Sequence, residues 1–445
     1  MPPDDALRNA RMADLSSRPS SRGASEFEGE LVSLILGLEV RFPGCSADGK
    51  ERQRPRGKQG LRKLGATVSA FVADLIRHSA NVEAHGYCYR AADSRTFVDA
   101  HATYREWVRV VALWERHGFL EKRTGFKARK EWEGQPIEAG ATQLASRYRA
   151  TPRLLAMAQR HGINPDTLPD HYRQDFRGPV VIVREASTIG PRGQKVAGKT
   201  MKVSSSVRHA ELTAEMTRLN AFVTGHDFRG MEAPWFRRIF SNGNQPGFSY
   251  DQGGRVYAVG SSCYQRLSGE VRRHITINGA PTVEIDLRAS QLSIGYGLLN
   301  CGLPADDPYT IEGFPRDVVK AVTTALMGRD EGVPRRWPKD FAEGYLAQNG
   351  RKVGADYALK DVVAAICERH PVIMELKDQG WTCHHLQYVE SEILMNTMLT
   401  LADVYSVPCL PVFDSLIVRA SDRPVTERVL SLIFKERTGF VPRLK

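Results

Sequence analysis

The sequence predicts an α+β protein in which a mostly helical N-terminal region precedes a region of mixed strands and helices. Two observations carry this. Between about Leu61 and Tyr172 the apolar residues recur with helical spacing, as in Trp107, Val110, Val111 and Trp114 at i, i+3, i+4 and i+7. At Gly178-Pro179 the texture changes, and VVIVREAST opens a series of β-rich runs. At 445 residues the chain exceeds a usual single domain, so three regions are expected. Residues 1–60 read as a basic, largely disordered tail, residues 61–175 as a helical accessory domain, and residues 176–445 as the core.

In the tail, SSRPSSRGAS and ERQRPRGKQG have compositions that do not offset the entropy of ordering. Leu31 to Leu38 fits a short helix between them. The run Arg52, Arg54, Arg56, Lys58, Arg62, Lys63 reads as a solvated linker, and against a polyanion as an electrostatic tether. In the accessory domain a helix ends at His117-Gly118, and the basic, strand-like FLEKRTGFKARKEW follows. That passage resembles the end of a winged-helix unit, which implies nucleic-acid binding; a generic helical domain is the plainer alternative. TQLASRYRATPRLLAMAQRHGI reads as a second helical stretch, carrying Arg147, Arg149, Arg153 and Arg160. Beyond Gly178, VVIVREAST is a strand, GPRGQKVAGK a hairpin tip or loop, Glu211 to Val223 a helix, and PWFRRIFSNGN a mixed aromatic and basic segment.

The net charge of +11 and the pI of about 9.3 favour polyanionic partners, nucleic acid before an anionic membrane. No apolar run approaches the ~20 residues a membrane span needs. MPPDDALRNARMADLSS lacks an apolar signal core, so a cytoplasmic protein without a membrane partner is expected. The 7 cysteines are scattered and form no CxxC pair, as reduced thiols would be. Cys383-His384-His385 has no second ligand pair at a zinc-site spacing.

After Tyr250 four segments follow in order: GGRVYAVGSSCYQRLSGEVRRHITING, VEIDLRASQLSIGYG, RDVVKAVTTALMG and VFDSLIV. In the second, Val283, Ile285 and Leu287 alternate on one strand face with Glu284 and Asp286 on the other. A helix-like stretch starts near Ala289, so Asp286 falls at a strand-to-helix junction, as a functional carboxylate or as a helix cap. The third is a helix with Pro315 at its first turn. Arg316, Lys320 and Thr324 share one face there, and an anion between the cations would relieve their repulsion; alone, the face reads as solvated and basic. In LPVFDSLIV, Asp414 interrupts an apolar run. A buried carboxylate needs a proton, a partner or a metal, unless Asp414 and Ser415 form a hairpin tip in water.

Together the four segments resemble the polymerase core of the A-family (DNA polymerase I-like) DNA polymerases and their relatives, the phage-type single-subunit RNA polymerases. The resemblance covers about residues 250–445 and implies a right-hand polymerase palm with reduced fingers. Asp286 in EIDLRASQL matches the palm aspartate of a D-x-S-Q-like motif. Arg316 and Lys320 match the fingers helix in order and spacing, and Phe413-Asp414-Ser415 matches the HDE or HDS hairpin with phenylalanine for histidine. Arg255, Gln265, Arg272 and Arg273 correspond to the upstream TGR…LQNIP…GRxIR segment. Two departures concern the sugar: Gln291 stands where the DNA polymerases carry a glutamate guarding against the 2′-hydroxyl, and Gly328 or Met327 stands where a tyrosine is usual. The gaps between motifs are short, and no D-x-E segment suggests a proofreading exonuclease.

The resemblance implies template-dependent nucleotidyl transfer with two Mg²⁺ ions, or Mn²⁺ as a substitute, held by Asp286, Asp414 and the carbonyl of Leu287. Lys320 would be catalytic on the triphosphate, with Arg316 at its γ end; Gln291 and Thr324 complete the nucleotide-binding set. Arg255, Gln265, Arg272 and Arg273 would line the nucleic acid, and Glu390 or Glu392 could brace the site. The expected partners are a single-stranded or primed DNA template and NTP or dNTP substrates, together with a helicase or small accessory protein. The expected role is an A-family-like DNA polymerase or primase in replication of a mobile element, plasmid or phage. Two alternatives stay open. A small single-subunit DNA-dependent RNA polymerase would need promoter-reading elements that the sequence does not display. A non-catalytic DNA-binding replication initiator is disfavoured by the retention of Asp286, Asp414 and Lys320.

Overall fold

The computed structural model describes residues 6–41, 55–97, 99–125, 145–190, 195–203, 206–231, 234–260, 263–330 and 332–445. It is a mixed α+β structure that divides into two units, Met1–Gly178 with Gly260–Ser262, and Pro179–Val259 with Cys263–Lys445.

In the first unit the helices are α1 (Arg22–Arg41), α2 (Lys58–Ser79), α3 (Tyr104–Arg116), α4 (Pro152–Arg160) and α5 (Leu168–His171). The strands are β1 (Arg11–Met12), β2 (Ser17–Pro19), β3 (Cys88–Tyr89), β4 (Leu120–Arg123), β5 (Arg147–Ala150) and β6 (Tyr172–Gln174). Four of them form a sheet in the order β1-β3-β5-β4, with β4 antiparallel to β5, while β2 pairs with β6. The core is aromatic: Phe71 of α2 stacks on Trp114 at 5.9 Å and meets Trp107 edge-on at 5.8 Å.

Three expectations need correction here. Within the region read as a largely disordered tail, the described residues 22–41 form the helix α1. Phe27, Leu31 and Ile35, spaced at i, i+4 and i+8, form a buried stripe that seats α1 in the core. The flanking Ser, Arg, Gly and Pro obscure that stripe in the sequence. In the basic run, Arg52 and Arg54 lie outside the described residues, and Arg56 is no solvated linker. Its side chain is 1% exposed and pairs with Glu39 at 2.5 Å and Glu106 at 2.7 Å. The second helical stretch is broken at Thr151, whose hydroxyl caps α4 by accepting from the Leu154 amide (3.4 Å), with Pro152 at the first helical position. Ahead of it Arg147–Ala150 is a strand. FKARKEW, residues 126–132, lies outside the described residues.

The second unit begins with β7 (Val181–Val183) and the small hairpin of β8 (Thr188–Ile189) and β9 (Lys195–Val196). Next come α6 (Val207–Val223), β10 (Phe228–Arg229), β11 (Phe236–Phe240), β12 (Gly253–Ala258), α7 (Gly269–Arg272), β13 (Thr276–Ile277), β14 (Ala280–Asp286) and α8 (Ser290–Leu298). Six helices follow: α9 (Arg316–Met327), α10 (Lys339–Asn349), α11 (Val353–Asp356), α12 (Leu359–Arg369), α13 (Val372–Asp378) and α14 (Cys383–Tyr405). The chain closes with β15 (Leu410–Val412), β16 (Ser415–Arg419) and α15 (Arg423–Thr438). There are two main sheets, β12-β11-β7 and β10-β13-β14-β16-β15. Leu386, Ile393, Leu394, Met398 and Leu401 of α14 are buried in their common core. Gly297 lets α8 lie close on α15, since a Cβ there would stand 2.7 Å from the Thr438 carbonyl oxygen.

His385 is a helix cap: its Nδ1 accepts the Thr382 amide (3.1 Å) at the start of α14. No helix among the described residues is long and apolar enough to cross a membrane.

Candidate active site

Strand register brings the two aspartates of the motifs together. β14 and β16 are antiparallel, running from Thr282 opposite Arg419 to Asp286 opposite Ser415. β15 and β16 form a hairpin in which Val412 faces Ser415, leaving Phe413-Asp414 as the turn. A two-residue turn needs positive φ, which glycine or asparagine usually supplies. Here Phe413 adopts φ +54 and stays 44% exposed, while Asp414 is half-buried, so Asp414 is not a tip in open water. The Leu287 amide donates to the Asp414 carbonyl (3.3 Å), tying the end of β14 to the turn. Beyond Leu287 the chain passes through Ala289, at φ +50, into α8. Left-handed conformations at non-glycine residues cost on the order of 1–3 kcal/mol each and cluster at functional sites.

The electrostatics favour a cation. Burial pushes the Asp286 carboxyl above the usual range, and the charges of Asp414 and Glu284 push it further, against Lys320 and Lys445. Burial likewise raises Asp414, opposed by its own amide, Arg255 and Lys320, and reinforced by Glu284. The Asp286 carboxylate accepts no hydrogen bond or ion pair from the described residues. Among those residues no group of three or more His, Cys, Asp or Glu is placed to hold a metal ion. A pair of carboxylates still fits Mg²⁺, which binds through one or two carboxylates and completes its shell with water and substrate phosphates.

Around the pair, several side chains expected to face nucleic acid are instead bound within the protein. Arg255 pairs with Glu390 through Nη2 (2.5 Å) and Nε (3.1 Å). Glu390 is 1% exposed, and burial raises its carboxyl while Arg255 lowers it. Arg272 forks onto Glu284 with two contacts of 3.0 Å and also donates to the Leu267 carbonyl (2.7 Å). Gln265 accepts from the Ala258 amide (2.9 Å) and donates to the carbonyls of Val256 (3.1 Å) and Pro411 (2.8 Å). All three therefore make contacts inside the protein. Arg273 alone of the four is exposed and has no partner among the described residues.

On α9, Lys320 is exposed, has no salt bridge among the described residues, and lies within electrostatic reach of both aspartates. Thr324 donates its hydroxyl to the Lys320 carbonyl (2.9 Å). Arg316 pairs with Asp307 at 2.9 Å. Gln291 sits half-buried in the first turn of α8. Glu392 pairs with the buried Arg238 (2.7 Å). Sequence reasoning passed over Glu284, which accepts the Ser415 hydroxyl (2.7 Å) as well as Arg272. Its place on the same strand face as Asp286 was the available signal.

No family model matches the sequence, and no curated protein sequence matches it. Among solved structures the chain is similar to the polymerase domain of Pol1 from M. smegmatis in complex with DNA primer-template and dNTP. The identity is 12% and the TM-score 0.27, over 54% of this chain and 50% of that one. The chain thus spans about half the length of that structure's chain, and a likeness at this level decides neither fold nor function.

Proposed function

We propose that the protein is a template-dependent nucleotidyltransferase, an A-family-like DNA polymerase or primase. The observation that carries the reading is the convergence of Asp286 and Asp414 at one end of paired strands, half-buried, mutually repelling and within reach of Lys320. Two divalent ions held by Asp286, Asp414 and the Leu287 carbonyl would activate a 3′-hydroxyl and neutralise the leaving pyrophosphate.

Lys320, a mobile point charge, is suited to bind the triphosphate. Arg316 could add to that contact through its Nη groups, since only its Nε is engaged with Asp307. Gln291 and Thr324 are the remaining nucleotide contacts in this reading, Thr324 through a hydroxyl that already bonds its own helix. Arg273 would meet the template backbone, while Arg255, Arg272 and Gln265 hold the carboxylate frame rigid. The first unit would serve as a nucleic-acid-binding accessory, its α3 leading into the antiparallel β4 and β5 as in a winged helix. The short spacing between motifs favours priming or short synthesis, in keeping with a mobile element, plasmid or phage. A helicase or small accessory protein is the further proposed partner.

Incorporation of labelled dNTPs and rNTPs on single-stranded and primed templates tests the reading. Template-dependent product is expected with Mg²⁺ or Mn²⁺. A folded protein that makes none would overturn it, and promoter-dependent RNA synthesis alone would favour the RNA polymerase alternative.

A further inference from the structure

The segment after α15 returns to the edge of β14. α15 ends at Gly439, whose φ of +82 reverses the chain and whose amide donates to the Lys435 carbonyl (2.8 Å). Arg443 then donates its guanidinium to the carbonyls of Pro304 and Asp306. From there the backbone pairs antiparallel with the strand that carries Asp286. Leu444 stands opposite Leu287, the Asp286 amide donates to the Lys445 carbonyl (3.3 Å), and the Lys445 amide donates to the Asp286 carbonyl (3.0 Å). The Arg288 amide adds a bond to the Arg443 carbonyl (2.9 Å). Residues that exchange both amide bonds across an antiparallel pair send their side chains to the same face, with Cβ atoms about 5 Å apart. Backbone pairing therefore sets the Lys445 side chain beside that of Asp286. Lys445 is exposed and has no ion pair among the described residues.

We propose that Lys445 binds the triphosphate of the incoming nucleotide, as a second phosphate-binding lysine beside Lys320. The inference rests on the nucleotidyltransferase reading of the Asp286 and Asp414 pair. Charge balance supports it. Two divalent ions bring four positive charges to two carboxylates and to a fully ionised triphosphate with four negative charges of its own. The remainder is negative, and Lys320 alone does not match it. Other cations of the frame already have carboxylate partners: Arg255 has Glu390, Arg272 has Glu284 and Arg316 has Asp307. Lys445 has none, and its place on the strand edge is fixed by backbone bonds that do not involve its side chain. An ammonium on a flexible stem, with three donors, can then follow phosphate oxygens. The backbone phosphates of a primer strand offer the same chemistry, and the test separates the two sources.

The test is binding of a matched dNTP, with Mg²⁺, to the full chain on a primer-template whose primer ends in a dideoxynucleotide, so that no chemistry follows. Wild type, Lys445→Ala and Lys445→Arg are compared, and the Kd of the primer-template alone is measured by fluorescence anisotropy. Lys445→Ala should weaken dNTP binding about tenfold, the loss of one charge-assisted hydrogen bond. Its primer-template Kd should stay within about twofold of wild type, since no strand phosphate is lost. Lys445→Arg keeps the charge and should retain most of the dNTP affinity. Unchanged dNTP affinity in Lys445→Ala overturns the inference. A loss confined to primer-template binding also overturns it, by placing the lysine on a strand phosphate. An equal loss in Lys445→Arg traces the effect to the strand edge and overturns it as well. Extension of an unblocked primer by wild type upholds the nucleotidyltransferase reading in each of these cases. A folded wild type that extends no primer and binds no dNTP fails that reading, and the inference falls with it.

Discussion

Asp74 in the first unit and the pair Asp286 and Asp414 in the second are carboxylates taken out of water and then treated in opposite ways. Asp74 is fully buried, accepts the Leu15 amide through Oδ2 (2.7 Å) and pairs with Arg77 through Oδ1 (2.5 Å). Asp286, half-buried, has no such partner among the described residues, and Asp414 is steadied by its own amide. Burial with partners locks a fold together, because each charge is matched in place. Burial beside like charges and without partners leaves an attraction for something that is not protein. Glu390 sharpens the contrast, because it is as buried as Asp74 and answered by Arg255 close to the open pair.

The largest effects should come from the matched carboxylates. Asp74→Ala and Glu390→Ala each remove a buried carboxylate and leave a half-buried cation, Arg77 or Arg255, without it, and chemical denaturation should show losses of about 3–5 kcal/mol. Losses below about 1 kcal/mol would erase the distinction drawn here. The open pair should respond with the opposite sign. Asp286→Asn and Asp414→Asn remove a charge whose folded carboxyl is held above its ordinary range. A raised folded pKa means that the folded state keeps its proton to higher pH, so wild type loses stability as pH climbs through the carboxylate range. Both variants should therefore unfold at higher denaturant than wild type at neutral pH. The gap should close below about pH 4, where both states are protonated. A gap that widened on acidification would contradict the assignment. The smallest effect belongs to Phe413→Gly. It relieves left-handed strain of about 1–2 kcal/mol but adds unfolded-chain entropy of about 0.5–1 kcal/mol, so stability should move upward by about 0–1.5 kcal/mol.

The backbone setting of this contrast was legible in the sequence wherever local pattern decides structure. Alternation through Val283, Ile285 and Leu287 followed by a helical stretch marks the end of β14 and the start of α8, and Pro315 marks the start of α9. Partnership was not legible. That Arg272 serves Glu284, Arg255 serves Glu390 and Arg316 serves Asp307 depends on which elements meet in space, which residue type alone does not reveal. For that reason the internal partners of Arg255, Gln265 and Arg272, three of the four side chains expected on nucleic acid, come from the structure alone. The buried stripe of α1 was hidden by a different cause: its Ser- and Gly-rich start and basic flanks have the composition of a linker, and composition averages over a stripe of three residues.

Single-turnover primer extension with Mg²⁺, comparing wild type with Asp286→Asn and Asp414→Asn under conditions where all three are folded, tests most directly whether the unpartnered carboxylates do chemistry. The account predicts extension by wild type and a loss of about a thousandfold or more in each variant, roughly 4 kcal/mol of transition-state stabilisation. Extension at the wild-type rate by either variant would contradict it.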